Sequence, residues 1–204
     1  MTKITYDRAA AVAYARNWAF SRNPRYTDFS NMGGDCTNFV SQCLLAGGMP
    51  MNFDYPSGWF YNSSRDRAPA FTSVEYLHKF LTRNGISRGP FAVEVVNTTQ
   101  VSAQNTGHDT QNFDVLKGTG HGAYNLPEGA GWSRIEVGDI AQLSFENHAS
   151  GTPKWGHSLL VVGIDPFNLL NPLTATHTFD ALDRPLRTYT FNHVRVLHIQ
   201  GGWE

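Results

Sequence analysis

The stretch "GGDCTNFVSQCLLAGG", residues 33–48, joins a glycine pair, an aspartate and an apolar stripe at helical spacing. Gly33 and Gly34 allow the chain to enter a helix sharply, and Asp35 is a favoured residue for capping a helix start. The apolar residues that follow recur every three or four positions, as on one face of an amphipathic helix. The stretch therefore predicts a helix with Cys36 in its first turn.

The chain has two cysteines, Cys36 and Cys43, seven positions apart in this predicted helix. Seven helical residues separate two Cα atoms by about 10 Å, whereas a disulfide requires less than about 7 Å. The sequence therefore predicts two reduced cysteines. Neither cysteine has the paired Cys or His spacing of a zinc site, so we expect no metal and no other cofactor.

The two cysteines are expected to differ in role. Cys36 lies in the first turn, where free N–H groups and the helix dipole stabilise a thiolate. The alternative, that Cys36 is simply a small buried residue, stays open at this point. Cys43 falls two turns later on the apolar stripe, where a cysteine behaves as a small hydrophobic residue.

Length and composition limit the class of protein. The 204 residues are 41% hydrophobic, which is enough for one core and predicts a single domain over residues 1–204. The net charge of -1 gives no basic field of the kind that binds nucleic acid. No apolar run approaches about 18 residues, so no membrane span is predicted. The first 20 residues read as an amphipathic helix, since charged residues interrupt the apolar run of a signal peptide.

Two later segments read as strands of one hairpin. The segment "KWGHSLLVVGID", residues 154–165, contains a continuous apolar run typical of a buried strand, with His157 at its beginning. The segment "IEVGDIAQLSF", residues 135–145, predicts the preceding strand, joined to the first through a polar loop at 146–154. A histidine at the rim of such a strand can face the start of a helix packed on the sheet.

These motifs resemble a known superfamily. "DCTNFVSQCL", "VGDIAQLSF" and "GHSLLVVGI" are similar, in content and in order, to the motifs of NlpC-type cysteine peptidases. The putative amidase domain family within that superfamily is the closer resemblance, and it extends to "YDRAAAVAYARNWAFSRNPRYTDF", "WFY" and "THTFDALDRPL". It covers most of the chain, with Phe71 where a tryptophan is expected and an unusually long insert before the hairpin.

The resemblance implies an α+β, papain-like fold in which the helix carrying Cys36 packs on a small antiparallel sheet carrying His157. It also implies nucleophilic acyl transfer, with a Cys36 thiolate that attacks an amide carbonyl and is held as an ion pair by His157. His157 then protonates the leaving amine, and water hydrolyses the thioester. The implied substrates are peptides or peptidoglycan fragments of the bacterial cell wall.

A third residue orients the imidazole in triads of this type. The resemblance favours His177 on the strand after His157, with Asp180 as the rival. Asp35, Trp59 and Trp155 are candidates for substrate binding. A helix cap for Asp35 and core positions for the aromatic residues are the alternatives.

Two further functions use the same motifs. One is acyl transfer to an amine or a lipid instead of water, and the other is a catalytically silent domain that binds the cell wall. The polar segment at about residues 97–131 predicts a lid or insertion over the Cys36 cleft. We expect an exported or envelope-acting protein whose export route the sequence does not identify, with a cytoplasmic location as the alternative.

Overall fold

The computed structural model describes residues 1–97, 134–165 and 168–204, so the predicted lid lies outside the described residues apart from Asn97. The helices are α1 (Arg8–Trp18), α2 (Cys36–Ala46), α3 (Pro69–Thr72) and α4 (Val74–Thr82). The strands are β1 (Lys3–Ile4), β2 (Gly89–Asn97), β3 (Ile140–Asn147), β4 (Pro153–Asp165), β5 (Asn168–Thr176), β6 (Ala181–Pro185) and β7 (His193–Trp203). A 3-10 turn, Leu186–Thr188, precedes β7. Within the described ranges, no helix is both long and apolar enough to cross a membrane.

The seven strands form one sheet in which every pairing is antiparallel. The order runs β1-β7-β3-β4-β5-β6, and β2 lies on the other side of β7. Leu197 of β7 pairs with Glu94 on one side and with Ile140 on the other, which places β7 between β2 and β3. Strands β3 to β6 are joined by consecutive hairpins, and β4 and β5 pack against α2.

The sheet has an apolar cluster on each face. Leu160 and Val162 of β4 pack with Phe39 and other helical residues in one cluster. The alternate residue Leu159 packs in a second cluster on the opposite face, together with Tyr189. Successive residues of a strand point to opposite faces, so β4 contributes to both cores. The predicted α+β class is confirmed, with the helices gathered on one face of the sheet.

The local predictions are largely confirmed. Helix α2 begins at Cys36, and β3 pairs with β4 as the predicted hairpin. Two boundaries differ. The N-terminal helix begins only at Arg8, because Lys3 and Ile4 pair with the end of β7. Strand β4 begins at Pro153, so His157 is an interior strand residue and not its first residue.

A buried carboxylate ties α1 to the middle of the sheet. Asp139, in the turn before β3, is fully buried and accepts a hydrogen bond from Arg8 Nη1 at 2.7 Å. It also contacts His198 Nδ1 at 2.9 Å and accepts from the backbone N–H of Ile199 at 3.2 Å. The aspartate of the predicted Gly-Asp turn is therefore a structural anchor as well as a turn residue.

The substitution Asp139→Asn is expected to lower the free energy of unfolding by about 3 kcal/mol, because it leaves the partly buried Arg8 guanidinium and the other donors around Asp139 without their carboxylate. The control is Asp183→Asn, which removes the exposed partner of Arg16 on the same helix and should cost less than about 1 kcal/mol. Urea unfolding measures both. Equal losses in the two variants would contradict the anchoring role of Asp139.

Candidate active site

Cys36 is the first residue of α2, and a turn that contains two glycines positions it. Gly33 and Gly34 have φ angles of 101° and 115°, a region that favours glycine. The backbone N–H of Asp35 then donates to Thr178 Oγ1 at 2.7 Å, which ties the helix start to the turn after β5. The side chain of Cys36 is 6% exposed.

Cys36 lines a cleft of about 330 Å³. Trp155 and Gly156 of β4 form one wall, and the residues around the start of α4 form another. Arg67 and Glu75 bring one positive and one negative side chain to the lining. Trp155 is partly exposed here, so its predicted contact with substrate is sterically available and stays a prediction.

The Cys36 thiol is surrounded by hydrogen-bond donors but is also deeply buried. Burial raises the pKa of the Cys36 thiol, and hydrogen bonds from the Ser158 backbone and from Thr37 act in the opposite direction. The Thr37 hydroxyl lies 3.8 Å from Sγ. Because burial dominates, the thiolate that the helix-start position predicts is not the favoured form of the resting site. Cys43 is also free and fully buried in the core, where burial raises its pKa well above the ordinary value.

His157 faces away from Cys36. It pairs with Leu143 across the sheet and shares its face with Leu159, which packs in the cluster opposite α2. Its ring centroid lies 6.2 Å from that of Phe145 and 6.4 Å from that of Tyr189. Among the described residues, no hydrogen bond joins the His157 ring to Cys36. The structure therefore does not assemble the predicted thiolate–imidazolium pair.

Thr176 holds the His157 ring. Its hydroxyl donates to the backbone carbonyl of Ser158 at 2.9 Å, with the His177 carbonyl at 3.0 Å. The Thr176 hydroxyl oxygen therefore accepts a hydrogen bond from His157 Nε2, which lies 3.3 Å away. The unprotonated, basic nitrogen of the His157 ring is then Nδ1. Burial, with a smaller contribution from the positive charge of Arg184, lowers the pKa of His157 to about 4. The imidazole is thus neutral near pH 7.

His177 does not orient His157, contrary to the sequence prediction. Strand β5 ends at Thr176, and the His177 ring lies on the opposite face from Thr176, stacked on Phe39 at 4.0 Å. Its Nδ1 contacts Asp35 Oδ2 at 2.6 Å, and its Nε2 donates to the backbone carbonyl of Trp18 at 2.8 Å. The contact predicted for His177 is made by its neighbour Thr176.

The rival third residue, Asp180, is also elsewhere. Its carboxylate forms two hydrogen bonds with the guanidinium of Arg22, at 2.9 and 3.0 Å. This pair braces the segment before α2 against the turn after β5. Neither of the two predicted orienting residues therefore touches the His157 ring.

Two of the predicted substrate-binding residues are inaccessible. Asp35 is fully buried, and its Oδ1 accepts from the backbone N–H of Phe29 and from Asn38 Nδ2 at 2.8 Å. In the described structure its carboxylate does not cap α2. Trp59 is also fully buried, and its Nε1 donates to Ser41 Oγ at 3.0 Å. Neither side chain offers an exposed atom to a ligand, so both are structural here.

Comparison with known proteins gives one family. The family described as "Putative amidase domain" matches residues 5–199. An uncharacterized protein of Bacillus subtilis (strain 168), YhbB, is 50% identical over 62 residues, which is 29% of this chain and 19% of that protein. The chain therefore matches about a fifth of the length of this relative. No solved structure matches the chain significantly.

The placement of His157 makes a prediction about pH. Its folded-state pKa of about 4 lies below the ordinary value of 6.5, so the unfolded chain binds a proton first as the pH falls. The stability that this histidine confers is complete above pH 6.5 and is lost as the pH falls toward 4. We expect the free energy of unfolding to fall by about 3 kcal/mol across that range because of His157, and this contribution should be absent in His157→Gln. Urea unfolding at several pH values measures both proteins.

Titration of His157 by NMR gives the same information directly. A value below 5 agrees with a neutral ring on the face opposite α2. A value above 6.5 would contradict the described placement, because only a charged partner such as a Cys36 thiolate would raise it.

Proposed function

Because the chain belongs to the putative amidase domain family, we propose that it hydrolyses an amide bond with Cys36 as the nucleophile. The observation that carries the proposal is the position of Cys36, at the start of α2 on the wall of the cleft. Free N–H groups at a helix start favour a thiolate as it forms. Family membership indicates amide hydrolysis, and the cysteine mechanism is our proposal.

The reaction we propose has two halves. The sulfur of Cys36 attacks the carbonyl carbon of the amide, the C–N bond breaks, and the thiol proton ends on the leaving amine. Water then attacks the thioester, which releases the carboxylic acid and restores the thiol. A base must carry the proton in both halves.

His157 is our proposed base, although its ring lies on the other face of β4 at rest. The residue directly before it, Gly156, lines the cleft, so the base is adjacent in sequence to a residue on the Cys36 side. The β3–β4 pairing shifts register at this point, between Leu143 and Ser144. Such irregularities occur beside active sites, where they re-aim a side chain. The proposal therefore includes a rearrangement of Gly156 and His157 when substrate binds.

Peptides of the bacterial cell wall are the proposed substrates, because the sequence motifs resemble those of enzymes that cleave them. The cleft supports a charged peptide, since Arg67 and Glu75 line it together with the aromatic ring of Trp155. A site of action at the cell envelope follows from this choice of substrate and belongs to the same proposal.

A second candidate function is a catalytically silent domain that binds such peptides. The observation in its favour is the separation of His157 from Cys36 by the thickness of β4. In this candidate the cleft binds a peptide but Cys36 does not react with it, so binding without turnover would support it.

The test incubates the protein with purified peptidoglycan peptides and follows new amino groups and product masses. We expect turnover by the wild type, background rates for Cys36→Ala, and a fall of about 10²–10⁴-fold for His157→Ala. Cys43→Ala is the matched control, because Cys43 lies in the core away from the cleft and should keep its turnover once folding is verified. Wild-type turnover by Cys36→Ala would refute the nucleophile, and peptide binding without wild-type turnover would favour the silent domain.

A further inference from the structure

A line of buried polar side chains runs from Arg195 in β7 to Cys36. Arg195 Nε donates to Gln142 Oε1 at 2.8 Å, and Gln142 Nε2 donates to Ser158 Oγ at 3.3 Å. Ser158 Oγ lies 3.1 Å from Thr37 Oγ1, which lies 3.8 Å from Cys36 Sγ. Each of these five residues is at most 6% exposed, so water does not replace these contacts.

The chemistry of the groups fixes the direction of the chain. A guanidinium only donates, so Gln142 must present its oxygen to Arg195 and its NH₂ group to Ser158. The same NH₂ group donates to the backbone carbonyl of Val74 at 3.0 Å, which only accepts. Ser158 Oγ therefore accepts from Gln142 and has its own hydrogen for Thr37. In the described part of the chain, the Thr37 hydroxyl then has Cys36 Sγ as the acceptor for its hydrogen.

Arg195 brings a positive charge that its surroundings compensate only in part. Its Nη2 has no hydrogen-bond partner in the described part of the chain, and the nearest carboxylate oxygen, Glu75 Oε2, is 3.6 Å away. Burial lowers the pKa of Arg195 to about 10, which reflects the cost of holding this charge. A negative charge that forms at the other end of the chain would offset part of that cost.

We propose that Arg195, Gln142, Ser158 and Thr37 form a donor relay that stabilises the thiolate of Cys36. The inference rests on the proposed function and adds positioning residues to it. The relay carries no proton, because a guanidinium at its far end has no lone pair to accept one. The proton that leaves Cys36 goes to the general base, and the relay supplies a directed hydrogen bond to the sulfur that remains.

Other charged groups around Cys36 act alongside the relay. The Asp35 carboxylate, directly before Cys36, raises the pKa of the thiol. Arg67 and Glu75 line the same cleft as Cys36. None of these charged groups is altered by a substitution at Thr37, so Thr37→Val isolates the contribution of the relay.

The first test measures the rate at which iodoacetamide alkylates Cys36 at pH 8, resolved from Cys43 by peptide mass mapping. Below the thiol pKa this rate follows the thiolate fraction, and a hydrogen bond to a charged group is worth about one to two pKa units. We expect a fall of about 10-fold or more in Thr37→Val and a rate within about twofold of wild type in Thr37→Ser, which keeps the hydroxyl. A profile over pH 7–10 separates a shifted pKa from altered access of the reagent.

The variant Gln142→Glu tests the direction of the relay. It keeps an acceptor for Arg195 but removes the N–H donor, so the hydrogen of Ser158 turns toward the new carboxylate and Thr37 turns with it. We expect alkylation to slow as in Thr37→Val. The variant also sets a carboxylate oxygen against the Val74 carbonyl, so its unfolding free energy is expected to fall, and alkylation is measured under conditions in which the variant is folded. A purely structural role would lower stability without slowing the alkylation of the folded protein.

The matched control is Ser41→Ala. It removes a buried hydroxyl from the same helix, one that serves Trp59 and lies outside the relay. Its alkylation rate should match that of the wild type. Wild-type alkylation rates in Thr37→Val would overturn the relay, and so would a slow Thr37→Val beside an unaffected Gln142→Glu. Alkylation needs no substrate, so these outcomes are independent of whether Cys36 cleaves an amide.

Discussion

The buried carboxylate of Asp35 is the group on which the geometry around Cys36 depends. A fully buried charge is costly unless it is paired, and this one contacts the Phe29 backbone, the Asn38 amide and His177. Through the other ring nitrogen of His177, the same contact satisfies the backbone carbonyl at the end of α1. One carboxylate thus joins the end of α1, the start of α2 and the turn after β5, and so fixes where the Cys36 side chain begins.

Successive residues of β4 point to opposite faces of the sheet, so its polar side chains are distributed between the two faces. Ser158 reaches the start of α2 through Thr37, whereas the adjacent His157 packs with Thr176 and aromatic rings on the other face. The same division occurs at the end of β5, where its last residue, Thr176, and the following residue, His177, serve opposite faces. The groups that meet Cys36 at rest are therefore donors, and the proposed base belongs to a separate buried cluster.

Local signals explain what the sequence could predict. The glycine pair, the apolar stripe and the turn before β3 act over a few residues, and they correctly predict α2 and the β3–β4 hairpin. The face of His157 could not be predicted, because the run 158–162 is buried on both sides and shows no alternation. The Asp35–His177 contact joins residues 142 positions apart, beyond any local pattern. Gln142, a polar residue inside an apolar strand, is the local signal in the sequence for a buried hydrogen-bond chain.

The stacking of Trp155 on Arg195 gives the cleft an optical property. The guanidinium carbon of Arg195 lies 4.1 Å from the centre of the aromatic system, and the rest of Trp155 forms part of the cleft wall. An indole in this position has a fixed positive charge on one side and solvent on the other, and its emission wavelength depends on both. Displacement of that solvent shifts the emission of Trp155, whereas Trp59, one of the other four tryptophans, is enclosed in the core and does not line the cleft. Trp155 is thus a spectroscopic reporter of cleft occupancy, in contact with the arginine at the far end of the proposed relay.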